Sequence, residues 1–166
     1  MKFLCEVDEM VVLRPEDIKS LIGLSDESLD CSGIKLTLKT IYVPETVGEL
    51  RVDGRVLPEY EELRCDPMCR LSSGAYIVRY NEYVKIPNGY MGLVFPRSSL
   101  LRMGATIYTA VWDPGYEGQG IGLLAVFNKQ GIVLEKNVQL AQLVLFKMSG
   151  ETMFSYKGTY LGEKEA

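Results

Sequence analysis

The sequence predicts an all-β fold preceded by one short helix. After about residue 33, short runs rich in β-branched and aromatic residues recur at roughly 8–12-residue spacing, and Gly, Pro and Asn turns separate them. A clear helical pattern occurs only near the start of the chain. Many short strands separated by turns are typical of antiparallel sandwiches and barrels.

The helical pattern covers residues 14–22. Pro15 suits the first turn, where its missing N–H would have no partner anyway, and the two acids after it favour the positive end of the helix. Ile18 and Leu21 fall on one face. Gly23 is a suitable C-terminal residue because it adopts a left-handed conformation without steric cost.

The predicted strands are runs of apolar or alternating residues bounded by turn residues. They cover 34–43, 75–80, 90–95, 105–112, 122–127, 132–134 and 140–146. Residues 112–120 read WDPGYEGQG and predict a tight hairpin. Residues 44–70, with three prolines and two glycines, are predicted to be an irregular insertion. The whole chain, 1–166, is predicted to be a single domain that ends in a tail at 151–166.

Composition excludes several classes of function. The 166 residues carry a net charge of −4 and no basic stripe, which argues against nucleic-acid binding that depends on phosphate neutralisation. The chain has no histidine, so a Ser-His-Asp or Cys-His catalytic group is excluded. There is no signal-peptide pattern and no apolar run of 18 residues, which favours a cytoplasmic protein without membrane contact.

The four cysteines do not indicate a metal site. Cys65 and Cys69 are separated by three residues, but a zinc site would need a second pair with ligand spacing. We expect buried thiols here, because free cysteine is among the most buried residue types. A local disulfide between these two residues stays open as an alternative.

Polar residues follow the predicted strand at 90–95. Arg97, Ser98 and Ser99 offer a guanidinium beside two hydroxyls, a combination that suits a phosphate group. The alternative is a capped turn that leads into a short helix over 98–102. Taken alone, the stretch favours the turn.

Three short motifs in a fixed order resemble the trimeric dUTPase and dCTP deaminase superfamily, most closely its small archaeal-type dUTPases. They are PRSS at 96–99, DPGYEG at 113–118 and AQL at 141–143. The tail at 156–162 resembles the deaminase side of the same superfamily. The resemblance covers roughly residues 30–163, which is most of the chain.

The resemblance implies a distorted, β-clip-like jelly-roll that forms a homotrimer, with active sites at subunit contacts. It implies a dUTP diphosphatase that produces dUMP and pyrophosphate from a small nucleotide substrate. Mg²⁺ is expected to act through phosphates and waters near the catalytic acid, with no direct protein ligand. The implied site residues are Asp113 as the catalytic acid that orients water; Arg97, Ser98, Ser99 and Gln142 on the phosphates; Tyr116, Thr109 and Gln119 on the deoxyribose or base; and Tyr156, Lys157 and Tyr160 as tail contacts.

One strand separates the two reactions of the superfamily. Deaminase members carry a Glu on the strand after the DPG turn, but residues 118–134 contain no acid, and one of Leu123 to Ala125 takes its place. Glu117 lies in the predicted turn and is a poor substitute. Diphosphatase activity is therefore favoured, and a dCTP deaminase, a bifunctional enzyme or a nucleotide-binding relative without catalysis remain alternatives.

Two positions depart from the superfamily pattern. Lys35 stands where relatives have an Asp on an early strand, and Asp30 is nearby but out of register. The charge reversal at Lys35 bears on metal binding, although a solvent-facing strand lysine is an equally good interpretation. Residues 156–166 lack the Arg and Phe of typical dUTPase arms, and Lys157 is the candidate to replace that Arg.

Overall fold

The computed structural model describes residues 11–163, which form mainly antiparallel β-structure. The helices are α1 Pro15–Ile22 and α2 Ser98–Arg102, and a 3₁₀ turn covers Asp26–Ser28. The strands are β1 Val11–Val12, β2 Ile34–Pro44, β3 Glu49–Arg51, β4 Gly54–Val56, β5 Tyr60–Leu63, β6 Met68–Leu71, β7 Gly74–Lys85, β8 Tyr90–Pro96, β9 Ala105–Tyr108, β10 Glu117–Val126, β11 Ile132–Glu135 and β12 Gln139–Lys147.

Most of these strands belong to one large curled sheet. Its order is β1-β12-β2-β7-β10-β9, with β5 added beside β2 and β8 beside β12. The pairs β11–β6 and β3–β4 form two small two-stranded sheets. Within β2, the first half pairs with β12 and the second half with β7 and β5, so this strand joins the two parts of the sheet.

The core forms because inward side chains alternate along the strands. On β2 the side chains of Ile34, Leu36 and Leu38 are fully buried, while the residues between them are partly exposed. Ile18 is the buried residue of α1 and attaches the helix to this core. Gly23 ends α1 with φ of +75°, as predicted. The all-β class with one N-terminal helix is confirmed.

Three boundary predictions are wrong. The strand predicted at 105–112 ends at Tyr108, because residues 109–116 leave the sheet as a loop. The next strand begins at Glu117, which is therefore a strand residue and not part of a turn. The stretch 112–120 is consequently not a tight hairpin, although its Pro-Gly turn is present.

The segment 44–70 is more ordered than predicted. It contains β3, β4, β5 and the first residues of β6, so the prediction of an irregular insertion is wrong. Its hairpin tip is exposed, with Leu50 and Val52 almost fully accessible. The prolines lie between these strands or at their ends, so the pairing hydrogen bonds are kept.

The cysteine prediction is also corrected. Cys65 and Cys69 form a disulfide across the connection between β5 and β6, where their Cα atoms are 4.7 Å apart, within the range that a disulfide spans. Cys31 is a free thiol but is exposed rather than buried. Cys5 lies outside the described residues. Between residues 11 and 163, no helix is long and apolar enough to cross a membrane.

Candidate active site

A cleft of about 550 Å³ opens where β9 and β10 separate. The two strands pair from Ala105–Val126 to Tyr108–Leu123, and beyond this point residues 109–113 diverge from residues 120–122. Backbone groups that would continue the ladder therefore line the cleft instead. Such groups require hydrogen-bond partners, so the cleft can bind a planar polar ligand edge-on.

Alternating glycines shape the floor of the cleft. On β10 the inward positions include Gly120 and Gly122, where an added Cβ would lie 2.3 Å from the Trp112 ring and 2.4 Å from the Tyr80 hydroxyl. No larger residue fits at either position. The outward side chains between and after them are apolar and line the cleft, so its floor excludes charge.

Asp113 lies at the mouth of the cleft, and its side chain is exposed. It begins a β-turn in which the N–H of Tyr116 donates to the Asp113 carbonyl at 3.0 Å, with Pro114 second and Gly115 third at φ of +83°. Two hydrogen bonds of 2.8 Å, from Gly115 to Ile86 and from Ile86 to Tyr116, hold this turn against the end of β7. The carboxylate therefore stands on a fixed backbone.

Tyr116 belongs to a row of packed aromatic rings. Its ring centroid is 5.7 Å from that of Trp112 and 5.7 Å from that of Tyr156. Trp112 in turn packs against Tyr80 at 6.3 Å. Burial, followed by the charge of Glu163, raises the pKa of Tyr116 to about 12. The phenol is therefore neutral at physiological pH and has a fixed position on the cleft wall.

The C-terminal segment, residues 155–163, lies over the cleft. The N–H of Tyr156 donates to the Pro114 carbonyl at 2.7 Å, and the N–H of Gly162 donates to Glu117 at 2.7 Å. Gly115 permits this approach, because a Cβ there would lie 2.1 Å from the Ser155 hydroxyl. Tyr156, Tyr160 and Glu163 line the cleft, so the segment forms part of its wall.

Two arginines that the sequence analysis did not identify hold this segment. Arg79 is 2% exposed and pairs with the Glu163 carboxylate at 2.7 Å. Arg55 lies on β4, in the segment 44–70 that was predicted to be irregular. It donates to the Thr159 hydroxyl at 2.6 Å and lies 5.4 Å above the Tyr160 ring centroid. The sequence indicates a special role for Arg79 only in that a charged residue interrupts the apolar run AYIVRY. Nothing local in the sequence marks Arg55.

Gln119 does not line the cleft, contrary to its predicted contact with the base or sugar. Its amide oxygen accepts from Lys39 at 2.9 Å, and its amide nitrogen donates to the Asn81 carbonyl at 2.8 Å. Its backbone N–H donates to Glu163 at 2.8 Å, and its carbonyl accepts from Arg79. Its side chain ties β10 to β2 and β7. Thr109 lines the cleft, and its contact with the base or sugar stays a prediction.

Two of the predicted phosphate-binding residues, Arg97 and Gln142, lie in a second group, which we call the Arg97 cluster. It also contains Gln139, Asp30 and Lys35. Arg97 donates to the Gln139 amide oxygen, and Gln139 donates to Asp30 at 2.6 Å. Lys35 is paired opposite Gln142 across β2 and β12. Ser98 and Ser99 are exposed in the first turn of α2 next to this cluster.

Gln142 and Lys35 make structural contacts. The Gln142 amide faces the N–H groups of Ser32 and Gly33, where its oxygen accepts hydrogen bonds at 3.0 and 2.8 Å. Lys35 donates to the Glu27 carbonyl at 3.1 Å. Lys157 is exposed and does not line the cleft, so the structure gives no support for it as a replacement for the missing tail Arg.

In the single chain the cleft and the Arg97 cluster lie at different ends of β8. Gly92 exchanges hydrogen bonds of 2.9 and 3.0 Å with Trp112, the neighbour of Asp113. Arg97 is five residues further along, which corresponds to about 16 Å at the rise of a β-strand. The two groups therefore do not share a cleft in the single chain.

The residues of the cleft do not form a metal cage. Among residues 11–163, no three Cys, Asp or Glu side chains are grouped so that they could hold a metal ion. The two acids that line the cleft are Asp113 and Glu163. The Glu163 carboxylate is already paired with Arg79. This donor set fits an ion such as Mg²⁺ that is carried mainly by phosphate oxygens and water, with at most one protein carboxylate.

Comparison with known proteins gives the family. The dCTP deaminase-like family matches residues 12–148. A probable deoxyuridine 5'-triphosphate nucleotidohydrolase from Aeropyrum pernix is 41% identical over 142 residues, covering 85% of this chain and 89% of the relative. The deoxyuridine 5'-triphosphate nucleotidohydrolase from Methanocaldococcus jannaschii is 40% identical over 145 residues, covering 84% of this chain and 91% of the relative.

A solved structure gives the same result for the fold. The crystal structure of 2'-deoxycytidine 5'-triphosphate deaminase from Agrobacterium tumefaciens superposes with a TM-score of 0.62 at 17% identity, covering 83% of this chain and 49% of that protein. This likeness shows that the curled β-fold, with its cleft between two diverging strands, is shared over most of the chain. The chain belongs to the dCTP deaminase-like family. The predicted superfamily and its jelly-roll class are confirmed.

Proposed function

We propose that the chain is a dUTP diphosphatase that hydrolyses dUTP to dUMP and pyrophosphate. The observation that carries the proposal is the apolar floor of the cleft below Asp113. Leu123 lies on this floor, at one of the positions where a deaminase would carry its acid. The archaeal relatives named as deoxyuridine 5'-triphosphate nucleotidohydrolases support the same activity.

The base and sugar are bound by the wall of the cleft. Backbone N–H and C=O groups of residues 109–111 and 120–122 face the space where β9 and β10 separate. They form hydrogen bonds with the polar edge of uracil, in place of the bonds that they would make if the two strands stayed paired. Tyr116, fixed between two aromatic rings, packs against the deoxyribose and leaves no room for a 2′-hydroxyl. Thr109 borders the same space.

Asp113 orients the attacking water. Its exposed carboxylate at the mouth of the cleft accepts a hydrogen bond from water and takes its proton as the oxygen attacks the α-phosphorus. A bond forms between this oxygen and the α-phosphorus, while the bond from the α-phosphorus to the bridging oxygen breaks and pyrophosphate leaves. Mg²⁺, when bound to the phosphates, neutralises the charge that develops on them.

The Arg97 cluster binds the phosphates of a neighbouring subunit's nucleotide in the proposed homotrimer. Arg97, Ser98 and Ser99 are exposed, and they lie about 16 Å along β8 from the cleft of their own chain. Phe95 and Leu101 beside them are more than half exposed, as expected for surfaces that another subunit covers. Each site then takes its carboxylate and its guanidinium from different copies. We place this activity in the cytoplasm, where it limits the uracil available to DNA synthesis.

Deamination of dCTP is not favoured by the cleft. It requires a positioned acid that moves protons at the base, and such groups typically contribute about 10²–10⁴-fold in rate. Besides Asp113, the acid that lines the cleft among the described residues is Glu163, and its carboxylate neutralises the buried Arg79. Glu117 is engaged with Tyr83 at 2.9 Å and Lys85 at 3.3 Å on β7 and does not line the cleft.

One assay tests the proposal. Purified protein is incubated with dUTP or dCTP, with and without Mg²⁺, and both pyrophosphate and ammonia are measured. We expect pyrophosphate from dUTP only. Ammonia from dCTP would instead establish a deaminase, and tight dUTP binding without turnover would establish a non-catalytic relative.

The Asp113→Asn variant tests the catalytic group. It should lose at least about 100-fold in kcat, because the water loses its base, while dUTP still binds. Asp53→Asn, at the exposed tip between β3 and β4, is the matched control and should keep full activity. Full activity of Asp113→Asn would refute the assigned role.

A further inference from the structure

We propose that Asp30 is the positioning residue for Arg97 and acts through the amide of Gln139. The inference rests on the proposed function, because it concerns how the phosphate-binding guanidinium is held. No sequence motif marks Asp30 for this role, since it lies 109 residues before Gln139.

A turn before β2 brings Asp30 to the cluster. The N–H of Asp30 donates to the Gly33 carbonyl at 2.9 Å, which folds residues 30–33 back on the start of β2. One carboxylate oxygen accepts from the N–H of Cys31 at 2.8 Å, which fixes the side chain. The other oxygen accepts from the Gln139 amide nitrogen at 2.6 Å.

The chemistry of the three groups determines how the Gln139 amide is oriented. A carboxylate only accepts hydrogen bonds and a guanidinium only donates them, whereas an amide does both. Asp30 on one side therefore requires the Gln139 NH₂, and Arg97 on the other requires the Gln139 oxygen. Asp30 and Arg97 therefore favour the same orientation of the Gln139 amide. With its NH₂ group held by Asp30, the amide presents its oxygen to Arg97 as a hydrogen-bond acceptor.

The interposed amide keeps Arg97 available for phosphate. A direct pair with a carboxylate would occupy two of the guanidinium N–H groups and neutralise its charge nearby. Here one of its five N–H donors is used for the amide, and among the described residues no other acceptor bonds to it. The Gln139 amide thereby orients the Arg97 guanidinium, and no carboxylate is in direct contact to neutralise its charge.

The surrounding charges keep Asp30 ionised. The hydrogen bond from Gln139 lowers the pKa of this carboxyl most, and the Cys31 N–H and the charges of Arg97 and Lys35 lower it further. The network is therefore intact throughout the neutral pH range. Lys35, which replaces the superfamily acid on β2, contributes to this network as a charge rather than as a ligand.

The test compares three variants with the wild type. In Asp30→Asn the new side-chain amide can donate a hydrogen bond to the Gln139 oxygen. Gln139 can then turn its NH₂ group toward Arg97, where two donors face each other and no hydrogen bond forms. We expect KM for dUTP to rise about tenfold with kcat nearly unchanged, since a lost hydrogen bond to a charged group commonly has at least this effect. The inhibition constant of inorganic pyrophosphate should rise equally, and that of deoxyuridine should not change.

A double variant tests why an amide is interposed. Asp30→Asn combined with Gln139→Glu keeps the total charge but places a carboxylate directly against Arg97, because Asn donates to Glu and Glu accepts from Arg97. We expect KM to stay raised at least as far as in Asp30→Asn, since the direct pair holds the guanidinium but neutralises it. Asp26→Asn, in the neighbouring 3₁₀ turn, is the control and should leave both constants unchanged. Equal melting temperatures confirm that all variants fold.

Failure of this inference differs from failure of the proposed function. If the wild type hydrolyses dUTP but Asp30→Asn keeps the wild-type pyrophosphate inhibition constant, Asp30 does not position Arg97. A double variant with the wild-type KM would overturn the inference as well, because the neutral amide would then not be needed between Asp30 and Arg97. If the wild type hydrolyses nothing, the proposed function fails, and calorimetric binding of inorganic pyrophosphate to the same variants still decides the role of Asp30.

Discussion

Removal of the Glu163 carboxylate should release the C-terminal segment from the cleft. This carboxylate is the ionic partner of Arg79, whose guanidinium is 2% exposed and also donates to the Gln119 carbonyl. In Glu163→Ala the closed segment would leave a buried cation without its counter-ion. The segment therefore opens more often, because opening admits water to Arg79.

The structure sets the size of the effect. Breaking a fully buried ion pair by removing one partner costs about 3–5 kcal/mol. The Glu163 side chain is 21% exposed, so some water reaches the vacated position and the expected cost falls to about 2–3 kcal/mol. This corresponds to about a 30- to 150-fold shift toward the open state, at 1.4 kcal/mol for each factor of ten.

Amide hydrogen exchange measures this shift directly. The N–H of Gln119 donates to the Glu163 carbonyl and the N–H of Gly162 donates to Glu117, so both amides lose their partners when the segment opens. Their protection should fall by the stated factor in Glu163→Ala, and it should not change in Glu135→Ala, which removes an exposed carboxylate on β11. Unchanged protection at both amides in Glu163→Ala would show that the ion pair does not hold the segment.

Three further outcomes follow from the same contacts. Arg55→Ala should raise KM for dUTP about three- to tenfold by loosening its hold on the tail, whereas Arg51→Ala, on the opposite strand of that hairpin, should not. The raised pKa of Tyr116 means that the folded chain keeps a proton that the unfolded chain loses between pH 10 and about 12, so stability falls as pH rises through this window. Chemical denaturation should show a shallower fall in Tyr116→Phe, and identical slopes would contradict the assignment. Reduction of the disulfide between Cys65 and Cys69 should lower the free energy of unfolding by about 2 kcal/mol, and a Cys65→Ser, Cys69→Ser variant should melt at the same temperature with and without reductant.

Local features of the chain were predictable because local chemistry produces them. The Pro-Gly turn after Asp113 forms since proline presets the second residue and glycine accepts the positive φ of the third. Along β2 nearly every second side chain is buried. This period of two is a property of the strand itself and does not depend on which strands pair with it. Helix α1 has its initiating proline and its terminal glycine within the segment itself.

The same local reasoning was wrong where distant partners decide the conformation. Gln119 belongs to a superfamily motif, yet its side chain faces Lys39 and Asn81 rather than the cleft. The strand predicted to reach Trp112 stops at Tyr108, because Trp112 bonds to Gly92 of another strand instead of continuing the ladder. Apolar residues alone could not show where two strands would separate.

The sequence by itself determined the all-β class and most of the long strands, the turn that carries Asp113, the absence of histidine chemistry and the superfamily. The tertiary structure alone decided which side chains complete the site. Arg79 and Glu163 are 84 residues apart, Arg55 and Thr159 are 104 apart, and Asp30 and Gln139 are 109 apart. Periodicity and turn propensity act over a few residues, whereas these contacts depend on how β2, β4, β7 and β12 are placed by the sheet and its core.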